Sequence, residues 1–157
     1  MHLNREYLAA TVGRRQKLVL LHGWGSSREI WRPLLAAVRP WADITLLDLP
    51  GCAPDITTDG AIPLDDLLTA ILAAGPDRAV YLGWSLGGQL ALELAARSPE
   101  RVAALVTVCS NPCFVAGGEW PGMPANTFAL FREGFATDPV ATLRRFYSLQ
   151  AQGAEQP

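Results

Sequence analysis

Ser85 stands between Gly83 and Gly87, directly after the apolar run Ala79-Val80-Tyr81-Leu82 and before a stretch from Leu86 to Arg97 that reads as a helix. A serine at a strand-to-helix junction is either a turn residue or a nucleophile. The flanking glycines favour the nucleophile, because a sharp, strained turn leaves no room for side chains two positions before and after its apex. Such a turn exposes the hydroxyl at the start of a helix. Free amides and the positive end of the helix dipole there suit a developing oxyanion. The chemistry this serves is acyl transfer through a covalent serine intermediate.

A second segment fits the same chemistry. "LLHGWG" at 20–25 ends an apolar run with His22-Gly23, and the next backbone N–H belongs to Trp24. Acyl transfer of this kind needs two donors aimed at the tetrahedral oxygen, one following the nucleophile and one from an earlier strand-end loop. Leu86 and Trp24 are the candidates for that oxyanion hole. His22 is the alternative candidate, as a general base, set against a loop-shaping role through its own hydrogen bonds. His2, close to the N-terminus, is a poorer base still.

Holding these groups requires strands alternating with helices. "KLVLLHG" at 17–23 and "DITLLDLPG" at 43–51 are compact apolar runs ending in glycine, the form of buried parallel strands. "SSREIWRPLLAAV" between them reads as one helix, with Ser26 or Ser27 as N-cap. "PLDDLLTAILAAG" at 63–75 has proline near its start, acids in its first turn and glycine at its end. The strand before Ser85, the helix after it and the strand "RVAALVTVCS" at 101–110 complete the series. This alternation predicts an α/β fold, a mostly parallel sheet covered by helices on both faces. "EYLAATVG" near the start is a candidate antiparallel edge strand. After Ser110 the Pro- and Gly-rich segment "NPCFVAGGEWPGMPAN" is an excursion. Two amphipathic helices follow it, with Phe128, Leu130, Phe131, Phe135, Leu143, Phe146, Tyr147 and Leu149 as the apolar set. These side chains either pack against the sheet or line a pocket. Residues 1–113 are assigned to the core and 114–157 to the helical addition.

Composition narrows the partners. The net charge of −2 has no block of like charges, which argues against nucleic acid. No apolar run reaches the ~18 residues of a membrane span, and the charged N-terminus is unlike a secretory signal. Cys52, Cys109 and Cys113 form no Cys-x-x-Cys pair and read as small apolar fillers of a cytoplasmic protein. No His, Cys or Asp cluster has metal-ligand spacing and no phosphate-binding glycine loop follows a strand, so neither metal nor organic cofactor is expected.

"LHGWG", "DLPG", "GWSLGG", "SPERVAALVTV" and "NPCF" with "EWPG" together resemble the α/β-hydrolase family. Within it they resemble the esterases that cleave the methyl ester of pimeloyl-acyl carrier protein in biotin synthesis. The resemblance implies Ser85 as nucleophile, Trp24 and Leu86 as oxyanion hole, and Trp24 and Phe146 against the substrate. It also implies a cap over the acyl channel from Phe114 onward, with Arg145 receiving the acidic carrier protein. A monomer is implied for the intact enzyme. Two departures stand out. Gly51-Cys52-Ala53-Pro54-Asp55 replaces the usual Gly-x-Gly-x-Ser after "DLPG", and no histidine follows His22. In this family the acid and then the base follow the cap, so the chain to Pro157 is expected to be inactive alone and prone to association. Other members of the family (a general carboxylesterase, a lactonase, an acyltransferase) and a non-catalytic binding protein on the same scaffold stay open. A haloalkane dehalogenase is disfavoured, because its nucleophile would be Asp where Ser85 stands.

Overall fold

The apolar runs at the centre of the sheet become strands because they are buried on both of its faces. A computed structural model describes residues 1–13, 15–51 and 61–153. In chain order the elements are β1 (Arg5–Leu8), β2 (Gln16–Leu21), a 3₁₀ turn (Arg28–Trp31), α1 (Arg32–Val38), β3 (Ala42–Leu47), α2 (Leu64–Ala74), β4 (Ala79–Trp84), α3 (Leu86–Arg97), β5 (Val102–Val108), α4 (Ala125–Thr137) and α5 (Pro139–Gln150). The sheet order is β1-β3-β2-β4-β5, with β1 antiparallel to β3 and every other pairing parallel. This is the expected mostly parallel α/β sheet, including the antiparallel edge strand near the N-terminus.

Two apolar layers sandwich the sheet. Val19, Leu21, Leu47 and Tyr81 pack toward α2 and α3, while Leu18, Leu20, Ile44 and Leu46 face Trp31 and Val38 on the other side. Period-2 alternation along each strand divides the side chains between the layers. The single helix expected over 26–38 is instead a 3₁₀ turn capped by Ser27, followed by α1. Pro33 is the reason: it has no N–H to donate to the Glu29 carbonyl, which receives the Arg32 N–H instead.

Coverage of the sheet is incomplete at β5, the last strand of the described sheet. Val106 and Val108 are 43% and 40% exposed. They lie on the same face as Val80, Leu82 and Trp84 of β4, which are half-buried. The cysteines also depart from expectation, since Cys109 and Cys113 are both exposed. Cys52 and the unusual sequence through Asp55 lie outside the described residues. Among the described residues no helix is long and apolar enough to cross a membrane.

The chain forms two compact units, Met1–Pro112 and Cys113–Pro157. In the second, the Pro/Gly-rich segment folds on itself. The Trp120 indole donates to the Cys113 carbonyl at 2.8 Å, and Phe114 meets Phe128 edge-on at 5.8 Å. Neither α4 nor α5 carries a fully buried residue. Phe131 and Phe146 are half-buried with ring centroids 5.9 Å apart, whereas Leu130 and Leu149 are exposed.

Candidate active site

β4 delivers the chain to Ser85, and α3 starts at Leu86. Ser85 has φ 53° and ψ −117°, a left-handed conformation rare for a residue with a side chain. The neighbouring glycines make that turn physically possible. A Cβ on Gly83 would collide with the backbone of Gly87 and Gly88, and one on Gly87 with the Leu21 carbonyl. These are contacts with backbone, so no rotamer change relieves them. The first turn of α3 is thereby pressed against both its own strand and the end of β2.

The end of β2 brings the second motif to the same place. A Cβ on Gly23 would lie 2.8 Å from the Trp84 ring and 3.2 Å from the Ser85 Cβ. The His22-Gly23-Trp24 loop therefore runs directly beside the serine. Leu86, as the first residue of α3, belongs to the turn whose amides lack intrahelical acceptors.

His22 is fully buried and both its ring nitrogens are engaged. Nδ1 lies 2.8 Å from the Gly23 carbonyl and Nε2 2.8 Å from the Leu49 amide nitrogen. The Leu49 N–H must donate, so Nε2 is the acceptor and Nδ1 carries the proton that goes to Gly23. Burial holds the His22 pKa below its ordinary value, against the opposing pull of the Gly23 carbonyl and Asp48. A neutral ring with both nitrogens occupied ties the β2 loop to the β3 loop and has no lone pair left for the Ser85 proton. Of the two sequence readings of His22, the geometry fits the loop-shaping one.

Asp48 is a participant that sequence reasoning missed. It is 4% exposed, accepts the Arg28 N–H at 2.9 Å and pairs with the Arg28 guanidinium at 3.3 Å. A carboxylate inside the apolar run "LLDL" was the available signal, since a buried acid requires a partner. The pair anchors the loop that carries Leu49. Phe146 and Arg145 lie on α5 of the second unit; Phe146 is half-buried beside Phe131 and Tyr147, and Arg145 is exposed. Among the described residues no group of three His, Cys, Asp or Glu side chains is placed to hold a metal ion.

The sequence matches the model of the alpha/beta hydrolase fold family over residues 17–157. The chain belongs to the α/β-hydrolase family. Its fold is similar to an alpha/beta hydrolase from Sphaerobacter thermophilus, at 19% identity and TM-score 0.71, over 99% of this chain and 58% of that one. An esterase from Exiguobacterium antarcticum matches at 18% identity and TM-score 0.78, over 92% and 55%. An enol-lactonase from Burkholderia xenovorans matches at 22% identity and TM-score 0.59, over 66% and 41%. This α/β-hydrolase chain thus spans about half the length of these structures.

Proposed function

We propose that this α/β-hydrolase chain is the nucleophile-bearing part of a serine carboxylic-ester hydrolase. The observation that carries the reading is the left-handed Ser85 at the β4–α3 turn, with the Gly23 loop against its Cβ. Ser85 Oγ attacks the ester carbonyl, and the backbone N–H groups of Trp24 and Leu86 receive the oxyanion. The alcohol leaves with a proton, and water then releases the acid from the acyl-enzyme. A serine hydroxyl needs a base to take its proton. With His22 committed to Gly23 and Leu49, this reading needs a base other than His22.

The finer form of the proposal is a methyl ester of a pimeloyl chain carried on acyl carrier protein, in a cytoplasmic biotin-precursor pathway. Its support is the sequence resemblance in "GWSLGG", "HGWG" and "PCF" with "EWPG". Phe146 is then proposed to line the acyl channel within a cap and Arg145 to meet the acidic carrier. The engagement of both nitrogens of His22 favours one competing reading, a non-catalytic binding protein on this scaffold.

A fluorophosphonate probe tests the proposal, with the adduct located by mass spectrometry. Labelling at Ser85 that disappears in Ser85→Ala supports it, and labelling elsewhere with Ser85 untouched refutes it. A form extended by a histidine-bearing segment separates the two readings. An esterase then hydrolyses p-nitrophenyl esters and releases methanol from the pimeloyl methyl ester, whereas a binding protein does neither.

A further inference from the structure

The strained backbone at Ser85, with φ 53° on a residue that carries a side chain, needs something to hold it. Part of the restraint is α3 itself: the Ser85 carbonyl accepts the N–H of Gly88 at 2.9 Å and of Gln89 at 3.2 Å. The rest comes from the end of β5. The Ser85 N–H donates to the Val108 carbonyl at 2.9 Å, and the Ser110 hydroxyl donates to the Ser85 carbonyl at 2.8 Å. One residue further, the Gln89 side-chain amide reaches Asn111 Oδ1 at 3.3 Å. Cys109, between the two Ser85 partners, has φ 48°. This reversal lets the carbonyl before it and the hydroxyl after it both address the same residue.

We propose that Ser110 is a positioning residue for the nucleophile, its hydroxyl latching the Ser85 carbonyl to the end of β5 so that the elbow keeps its left-handed geometry. The inference rests on the serine-hydrolase reading for its functional meaning, and on the hydrogen bonds alone for its structural content. Gly88 makes the latch possible. A Cβ there would sit 2.6 Å from both Cβ and Oγ of Ser110, so any larger residue displaces the hydroxyl. The Ser110 hydroxyl donates to the Ser85 carbonyl rather than to the attacking Oγ. It acts through the backbone.

The test compares the 157-residue chain with Ser110→Ala, which removes the donor and keeps the Cβ, and with Gly88→Ala, which pushes the hydroxyl away. Amide hydrogen exchange is read on peptides spanning Leu82–Gln89 and on peptides from β1 to β3. Losing one such bond accelerates exchange over Leu82–Gln89 about five- to tenfold and leaves the β1–β3 peptides unchanged. Fluorophosphonate labelling of Ser85 is read on the form extended by a histidine-bearing segment, where Oγ gives its proton to that histidine and displaces fluoride from phosphorus; it slows by a similar factor in its maximal rate with unaltered probe affinity. Unchanged exchange over Leu82–Gln89 overturns the proposal. So does acceleration spread over the whole chain, which would make Ser110 a general stability residue. If wild-type Ser85 takes no label even in that extended form while the local exchange response appears, the serine-hydrolase reading fails and the latch stands.

Discussion

Acidification should destabilise this chain through one buried ring. His22 is fully buried, with Nε2 accepting from Leu49 and Nδ1 donating to Gly23. Burial lowers its pKa in the folded state, whereas the unfolded chain restores a value near 6.5. A depressed folded pKa means that the contribution is complete above the unfolded pKa and drains away as pH falls below it, until the folded pKa is passed. A single proton taken up only on unfolding changes stability by about 1.4 kcal/mol per pH unit at most. Lowering the pH from about 7.5 to about 5.5 crosses that window, and the expected loss approaches roughly 1.4 kcal/mol. The carboxylates held by Arg32 add nothing over this range, because Glu6 and Glu29 start from 4.5 and are lowered further. Urea unfolding at the two pH values measures the loss in the wild type and in His22→Gln. Glutamine stays neutral and retains a donor and an acceptor. It should be less stable at the higher pH by about 1–2 kcal/mol for imperfect replacement of two hydrogen bonds, yet nearly flat between the two pH values. Equal pH dependence in both proteins would refute the assignment of the titrating group.

Gly87→Ala drives a methyl into the Leu21 carbonyl, with the His22 carbonyl 2.7 Å away. It should cost about 3 kcal/mol or more in urea unfolding, and a cost below about 1 kcal/mol would disprove the close packing of α3 on β2. The Tyr81 hydroxyl is buried without a hydrogen-bond partner among the described residues. Tyr81→Phe should therefore raise stability by about 1 kcal/mol, seen as a higher Tm, and a fall would reveal a hidden partner. Exposed Val106 on β5, the edge strand of the described sheet, should make the chain self-associate. Val106→Lys should shift sedimentation velocity toward monomer, and monomeric wild type at high concentration would contradict this.

Strands β2 to β4 and helices α2 and α3 were legible in the sequence because local signals and tertiary needs coincide there. Leu64–Ala74 has proline before it, Asp65 and Asp66 in its first turn and Gly75 after it, and each of these acts within a turn of the helix. Ser85 was legible for a related reason, since Gly83 and Gly87 record a backbone collision as residue type. Local pattern failed where distant chain decides. The apolar spacing over 26–38 suggested one helix, but a missing N–H at Pro33 broke the hydrogen-bond ladder. Ser110 sits 25 residues from the carbonyl it binds, and nothing in "VTVCSNP" distinguishes it from a loop serine. The partner of His22 was invisible likewise, because it is a backbone amide, which every residue but proline carries.

The open side of β5 also has a consequence in symmetry. A second copy can extend the sheet across that edge under two two-fold operations only. An axis normal to the sheet sets the two β5 strands antiparallel and leaves both sets of Val106 and Val108 on one side of a doubled sheet. An axis in the sheet plane, along the strands, sets them parallel and puts the valines on opposite sides. The first operation pairs the edge amides with carbonyls, whereas the second sets each edge N–H against its own copy, and neither removes the valine face from water. An antiparallel dimer through β5 is thus closed with respect to hydrogen bonding and open with respect to apolar surface, so pairing alone gives assembly no stopping point. Growth ends only when some other surface lies over the face that Val106 and Val108 share with Leu82 and Trp84.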